Sequence, residues 1–561
     1  MRLVWRAHII ISFFVSLTLI FVVRLYTLQV RGYEEYKALA KKQHQSSIFL
    51  SAKRGDIYTS DNFPLALTEM RYLLYAEPKK IPDPAKYAKS IAIILEKDSI
   101  KSEELELALK EKLLSDLFWI SLKKNLTLEQ IKEIERLKFN GIGFEEEFVR
   151  YYPEKGLASQ VLGFVGSDKE GNPKGYFGIE GFYEGDLKGI SGTIFQEKDA
   201  FGYPIAVGDY KKISSKDGHS ITLTLDRTVQ FIIEEKLKEA VVKYGAKSGT
   251  AIVVAPQMGR IIAMANFSSE EDVEHNARNM AIADTYEPGS VVKALTMSSA
   301  IDMGKVTPST TYVDDGPKSF SGHIVDTWDG KHYGIETIES ILQHSNNLGA
   351  AWVGKIVGAK HLREYFINFG FGNKLGIDLE GGDTGIIREV SDWRDIDLAT
   401  ASFGQGISAT PLQVVMAFSA IANDGILMKP FVAEKIMDEK GKTIAEFEPK
   451  ALRRVISKKS SETMVDMLTA AVSGGEAKFF VSKKYLVAGK TGTAQIPLEG
   501  EYDPSKTNAT FVGFLPKSRK FVMLIKLAEP TASIYASETA VPIWMDMAES
   551  LAAYYRIPPD K

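Results

Sequence analysis

Ala7 through Val23 is a run of seventeen residues with no Lys, Arg, Asp or Glu. It lies near the lower length limit for a helix that crosses a bilayer. It must therefore leave water as a membrane span, a cleaved leader or a buried core helix. A cleaved leader needs small residues at its processing site, whereas Arg24-Leu25-Tyr26-Thr27-Leu28-Gln29 is bulky, so an uncleaved signal anchor is expected. The flanking charges do not orient it: Arg2 and Arg6 precede the run, and Arg24, Arg31, Lys37, Lys41 and Lys42 follow it. The anchor would carry a chain of 561 residues, too long for one core, with 45% hydrophobic and 25% charged residues and a net charge of -3. That composition has no basic excess for nucleic acid. The absence of cysteine excludes disulfides and thiolate metal sites, and the eight histidines lack ligand spacing, so neither a metal nor a cofactor is expected.

Beyond the anchor, Leu25, Leu28, Tyr33, Tyr36 and Leu39 continue a helical pattern as a stalk. Strand residues flank a polar turn between Arg54-Gly55-Asp56-Ile57-Tyr58 and Ser60 to Ala66. Residues 84 to 138 carry Glu, Lys, Leu and Ile at helical spacing, with Asp98, Ser102 and Thr127 near helix starts, and predict a small helical head. Residues 150 to 192 turn rich in glycine and aromatics, which predicts tight turns and short strands. The polar stretch 208 to 219 marks a boundary. The resulting division is 1–24 for the terminal tail and anchor, 25–219 for an intermediate part that carries the helical head, and 220–561 for the main domain. In that last part, a hairpin around Pro256-Gln257-Met258-Gly259, a mostly helical stretch from 335 to 421, and strands near 485–496, 508–515 and 520–528 precede a closing helix, Trp544 to Tyr555. Helices inserted within an antiparallel sheet make an α+β fold.

Chemistry concentrates in Glu287-Pro288-Gly289-Ser290-Val291-Val292-Lys293. Pro288 and Gly289 interrupt the chain, and the run from Ser290 to Ala300 reads as a buried helix closed by Gly304. Side chains three apart on a helix are neighbours, so the Lys293 amine can approach the Ser290 hydroxyl at the positive helix end. Spacing alone does not single this pair out, because Ser121 and Lys124 repeat it. A serine nucleophile also needs donors for the oxyanion and an acid for the leaving group. His344-Ser345-Asn346-Asn347, ending a helical segment Ile335 to Gln343, and Gly489-Lys490-Thr491-Gly492-Thr493-Ala494-Gln495, in a strand-like run, can supply them. Order and separation carry the weight: Ser345 follows Ser290 by 55 residues and Lys490 follows Ser345 by 145.

The set Ser290-x-x-Lys293, Ser345-x-Asn347 and Lys490-Thr491-Gly492 resembles the three-motif signature of penicillin-binding proteins and serine β-lactamases. Gly404-Gln405-Gly406 with Thr410-Pro411-Leu412-Gln413 matches too. Arg54-Gly55-x-Ile57, Tyr152-Pro153-x-x-Gly156 and Gly178-Ile179-Glu180-Gly181 resemble the pedestal of class B penicillin-binding proteins. Thr59-Ser60-Asp61-Asn62 departs from the family's usual Asp-Arg-Asn-Gly turn. An anchor and pedestal do not suit a β-lactamase, and pedestal motifs occupy the place of a class A glycosyltransferase domain.

The resemblance implies a monofunctional D,D-transpeptidase that crosslinks peptidoglycan stem peptides and is acylated by β-lactams. It also implies a single-pass protein of the bacterial cytoplasmic membrane, with its catalytic domain facing outward. Phe511-Val512-Gly513-Phe514-Leu515-Pro516 and the compact 166–182 segment favour the septal over the elongation subgroup. By the same resemblance, Ser290 attacks the penultimate D-Ala carbonyl and Lys293 accepts its proton. Ser345 relays that proton to the leaving nitrogen, Asn347 orients Lys293 and the substrate amide, and Lys490 supplies positive potential. Thr491 and Thr493, around Gly492, hold the terminal carboxylate, and backbone N–H groups of Ser290 and Thr493 form the oxyanion hole. Lys490 and the helix end are expected to keep Lys293 neutral. A Ser-His-Asp triad through His344 is rejected because Lys293 fills the base role. The expected partners are a polytopic lipid-II glycosyltransferase and other wall-synthesis and division proteins. A sensor or scaffold that is acylated without turnover is the non-enzymatic alternative.

Overall fold

The computed structural model describes residues 2–154, 156–197, 205, 210–269, 278–498 and 501–561; Gly208 and Asp209 of the expected boundary stretch lie outside the described residues. An N-terminal helix, Arg2–Tyr26, runs through a π-helical turn, Thr27–Arg31, to a second helix, Tyr33–His44. Val4–Arg31 is apolar and long enough to cross a membrane, with a mean hydropathy of 2.3.

The chain forms two compact units, and both are discontinuous in sequence. The smaller takes residues up to Lys53, Arg71–Phe148 and Gly189–Gly218; the larger takes Arg54–Met70, Val149–Lys188 and His219–Lys561. The single pedestal segment expected over 25–219 is thus divided.

In the smaller unit, helices Pro84–Leu95 and Ser99–Leu113 pack with Leu74, Leu122, Leu126 and Ile131, and Tyr87 stacks on Phe139 at 3.8 Å. Asp98 and Thr127 cap helices as expected, whereas Ser102 lies inside one. The expected helical head is interrupted by a strand, Ile120–Leu126, paired with Tyr72–Ala76. Ser121 and Lys124 lie on that strand, where three residues span about 10 Å. The duplicate Ser-x-x-Lys match therefore brings no amine to a hydroxyl.

Two early segments join the larger unit through pairing and charge. Strand Ile57–Tyr58 pairs parallel with Ser220–Leu223 and antiparallel with the start of Pro64–Ala76. Glu180, fully buried, accepts hydrogen bonds from Arg54 Nε and Arg150 Nε at 2.7 Å each. Arg54 also donates to Glu184, and Arg150 donates to the Gly55 carbonyl. A buried carboxylate requires such partners. That requirement is why Arg54, Arg150 and the Gly178-Ile179-Glu180-Gly181 turn belong together, a turn that opens a short helix, Gly178–Phe182, rather than a strand. The divergent Thr59-Ser60-Asp61-Asn62 turn closes on itself: Thr59 donates to Asp61, and Asn62 adopts a left-handed φ of +60°.

The centre of the larger unit is a five-stranded antiparallel sheet in the order Arg260–Ser268, Ser248–Ala255, Val522–Ala528, Glu501–Phe514, Ala488–Leu498. Its side chains alternate cleanly. Ala251, Val253, Met523 and Ile525 face helices Arg227–Tyr244 and Ala540–Tyr554, while Ile252, Val254 and Leu524 face a second core that includes helix Pro411–Ala422. Both faces are thereby buried, which explains why these strands read as continuous apolar runs. Ile335 proves to belong to a strand, Gly334–Thr337, and the helix after it begins at Ile338.

Candidate active site

Three segments converge at the edge strand Ala488–Leu498. Pro288 and Gly289 lead into a 3-10 turn, Gly289–Val292, and only then does the α-helix Lys293–Asp302 begin. Ser290 therefore sits in the tighter turn and lines a cleft of about 670 Å³, while Lys293 is fully buried beneath it. Glycines permit this close approach. Gly289 has φ +60° and donates its N–H to the Gly404 carbonyl at 3.0 Å, and Gly404, at φ +84°, has no room for a Cβ against Gly289. A Cβ on Gly492 would stand 2.7 Å from the Pro288 carbonyl oxygen. The Gly404-Gln405-Gly406 motif and the third motif therefore grip the Ser290 turn from two sides. Thr410 and Gln413 form a capping box behind them, and the Gln413 amide donates to the Gly370, Asn373 and Thr384 carbonyls.

The second motif is held in an uncommon conformation. Ser345 has φ +54°, which costs a non-glycine residue about 1 kcal/mol. Two buried carboxylates over-determine it. Asn346 donates to Asp314 and Glu336 while its oxygen caps helix Asn347–Val357, and His344 pairs with Glu336 at 2.6 Å. The His344 ring also stacks on Tyr333 at 3.9 Å. His344 thus faces Glu336 and Tyr333, and the nitrogen beside Ser290 is that of Lys293. In consequence, both the carbonyl and the hydroxyl of Ser345 face the lysines.

Lys293 Nζ lies 3.0 Å from Ser290 Oγ, 2.7 Å from Asn347 Oδ1 and 3.2 Å from Ser345 Oγ, and it also donates to the Ser345 carbonyl. The Ser345 carbonyl and Asn347 Oδ1 can only accept, and Asn347 is oriented by donating its amide to the Asp326 carbonyl at 3.0 Å. A neutral amine would give them its two N–H groups and keep its lone pair for Ser290. Burial holds Lys293 well below the ordinary lysine range, the neighbouring Lys490 charge pushes the same way, and Glu476 and Glu336 oppose both. Burial thus exceeds the Lys490 effect on which the sequence reading relied.

Lys490, also buried, donates to Ser345 Oγ at 3.1 Å and Thr491 Oγ1 at 3.0 Å; burial lowers it and Glu476 raises it. Thr491 donates to Glu476 at 2.8 Å. Thr493 lines the cleft, and its hydroxyl accepts the Ala536 N–H at 3.1 Å. Ser290, Lys293, Ser345, Asn347, Lys490, Thr491, Gly492 and Thr493 are thus gathered in one place. Sequence reasoning missed Asp314, Glu336 and Glu476, which stand alone without motif spacing. It also missed Trp328 and Tyr535, whose rings meet edge-on at 5.7 Å beside the cleft.

Helices packed against an antiparallel sheet, with Ser-Lys, Ser-Asn and Lys-Thr-Gly side chains meeting at the sheet's edge, define a transpeptidase of the penicillin-binding class. The chain belongs to that family: residues 249–549 match the penicillin binding protein transpeptidase domain, and residues 49–223 match the penicillin-binding protein dimerisation domain. It is 31% identical over 554 residues to stage V sporulation protein D of Bacillus subtilis, covering 96% of this chain and 84% of that one. It is 27% identical over 526 residues to peptidoglycan D,D-transpeptidase FtsI of Escherichia coli, covering 91% and 85%. Among solved structures, penicillin binding protein 2X from Streptococcus thermophilus shares the fold with a TM-score of 0.75 at 23% identity, over 91% of this chain and 81% of that one. A peptidoglycan synthetase from Bifidobacterium adolescentis gives 0.73 at 24%, over 92% and 98%. The class B family expected from the motifs is therefore the family of this chain.

Proposed function

We propose that the protein crosslinks peptidoglycan stem peptides ending in D-Ala-D-Ala through an acyl-enzyme on Ser290. The observation that carries this reading is the Lys293 amine, buried, 3.0 Å from Ser290 Oγ and satisfied by two pure acceptors. Ser290 Oγ attacks the penultimate D-Ala carbonyl carbon while Lys293 takes the hydroxyl proton. The Ser290 and Thr493 N–H groups receive the oxyanion, each such donor contributing roughly 3 to 4 kcal/mol in comparable enzymes. As the C–N bond breaks, the proton passes through Ser345 to the departing D-alanine nitrogen. An acceptor amine then attacks the ester, the new amide forms, and Ser290 regains its proton. Lys490 draws the terminal carboxylate into place. A β-lactam carbonyl enters the same attack.

The apolar helix would anchor the protein in a bacterial cytoplasmic membrane with the larger unit outside, because its substrate is there. Septal wall synthesis, beside a polytopic lipid-II glycosyltransferase, is the setting favoured by the likeness to FtsI. One observation favours sporulation as a second setting for the same chemistry: the relative at 31% identity is named for it. The test is fluorescent penicillin labelling of the folded protein, with Ser290→Ala as control. Label on the wild type alone, together with crosslinking of donor and acceptor peptides, is expected. No label on the wild type would refute the acyl-enzyme, and label without crosslinking would favour a sensor.

A further inference from the structure

Among the described residues that line the cleft, Arg394 is the one arginine or lysine; Lys293 and Lys490 are buried behind the wall. It precedes a short helix, Asp395–Ala401, and that helix fixes one edge of its guanidinium. The Arg394 backbone N–H donates to Asp397 Oδ2 at 2.8 Å and its Nε donates to the same oxygen at 3.1 Å, while Arg388 donates to Oδ1. Burial alone would raise the Asp397 carboxyl, but these bonds bring it down to about 2, so the anchor is ionised at neutral pH. The other edge is unclaimed. Neither Nη of Arg394 has a partner among the described residues, and 65% of the side chain is exposed. Asp392 and Asp395, its nearest carboxylates in sequence, are exposed, form no ion pair with it and are absent from the cleft wall. A guanidinium held at Nε presents its two Nη groups as a planar fork, the geometry that matches a carboxylate.

Position says which carboxylate. Gly404, just past the helix, touches Gly289 and so lies beside Ser290. Thr400 lines the cleft near that end, and from Thr400 back to Arg394 six residues of helix span about 9 Å. In the proposed reaction Lys490 draws in the terminal carboxylate of the donor, which leaves Arg394 for another. The third residue of the stem lies one Cα step, about 3.8 Å, from the penultimate D-Ala, and a long side chain extends that reach to about 10 Å. The two lengths agree. Resting on the acyl-enzyme reading above, we propose that Arg394 is a specificity-determining residue that binds a side-chain carboxylate on the third residue of the donor stem peptide. The preferred donor then carries a diamino dicarboxylic acid there rather than lysine, whose ammonium would meet the guanidinium as a like charge. Asp397 is the positioning residue of this subsite, holding Nε so that the fork stays in the cleft wall.

The experiment measures kcat/KM for D-alanine release from soluble donor pentapeptides that differ only at the third residue: diaminopimelate, the same residue with its side-chain carboxylate amidated, and lysine. The quantity read is the ratio of the free-carboxylate donor to the amidated one. In the wild type a ratio of about five is expected, the upper end for an ion pair at a solvated site, and it should fall with added salt. The lysine donor should be no better than the amidated one. Arg394→Gln should bring the ratio to about one, and Arg394→Lys, which keeps the charge and loses the fork, should leave it between. Asp397→Asn should lower it as well, by raising KM for the free-carboxylate donor alone. A wild-type ratio of one, or a ratio that Arg394→Gln leaves unchanged, would overturn the assignment. So would a carboxylate preference that appears only when the acceptor carries the group. Adduct with benzylpenicillin but no D-alanine release from any donor would overturn the donor assignment while leaving the acyl-enzyme. A wild-type protein that forms no such adduct would instead refute the acyl-enzyme reading itself.

Discussion

Asn347→Asp converts a close side-chain acceptor of Lys293 into a charge while barely changing its size. The two atoms are 2.7 Å apart. At that separation a carboxylate would attract an ammonium by about 6 kcal/mol with an effective permittivity of about 20. Solvent reaching the half-buried Asn347 side chain reduces this to about 2 to 3 kcal/mol. Lys293 is held down by burial and by Lys490, and the new charge raises it again. Near neutral pH the neutral amine then becomes scarcer, and acylation should slow, by as much as the roughly 30- to 100-fold that this energy allows. The variant also has a signature: its rate should climb about tenfold per pH unit until the new pKa is passed. Time-resolved labelling with a fluorescent penicillin across the neutral to alkaline range measures both. A variant that acylates at the wild-type rate with an unshifted profile would refute Lys293 as the proton acceptor. A slow variant with a flat profile would assign Asn347 to the substrate alone.

Three further outcomes follow from the same geometry. Because Lys293 is depressed in the folded protein, the unfolded chain binds its proton more readily, so this residue makes stability rise with pH up to the ordinary lysine value. Lys293→Met should therefore gain stability relative to wild type as pH is lowered through that window, by chemical denaturation at several pH values, while losing acylation. Glu180→Gln leaves Arg54 and Arg150 facing each other without their shared carboxylate. It should cost about 3 to 5 kcal/mol, read as a lowered urea midpoint, and an unchanged midpoint would dismiss the cluster as a stabilising element. Gly404→Ala places a Cβ against Gly289 at a left-handed φ and should displace the nucleophile turn, with penicillin acylation falling while circular dichroism is retained.

The catalytic cluster was legible because its chemistry is written in short motifs. Ser290 and Lys293 are brought together by one turn, and Lys490-Thr491-Gly492 by one strand, so local spacing suffices. The sheet was legible for a related reason, since runs such as Ile252-Val253-Val254 and Met523-Leu524-Ile525 announce strands buried on both faces. What escaped depends on pairing at a distance. Glu336 and Asp314 brace Ser345 across strands, and nothing near either residue in sequence marks it. The left-handed backbone of Ser345 is likewise set by those braces rather than by its own preference. Residues 54–70 and 149–188 were assigned with their sequence neighbours because the partners of Ile57 and Glu180 can be read only from the fold. The 120–126 strand is hidden for the opposite reason: its Ser-Leu-Lys-Lys run suits either helix or strand, and pairing with Tyr72–Ala76 decides it.

The interleaving of the two units has a practical corollary for anyone dissecting the protein. A single cut at residue 219 would not release an intact catalytic piece. The fragment from 220 onward would lack strand Ile57–Tyr58, exposing the backbone edge of Ser220–Leu223, and would lose the whole Arg54–Arg150–Glu180 cluster. During synthesis the same geometry imposes waiting. Residues 54–70 and 149–188 are made early, yet the strand they must join begins at Ser220 and the sheet beyond it is finished only by Ala528. Nearly the whole polypeptide must emerge before the edge strand that bears Lys490 is joined to the sheet through Glu501–Phe514.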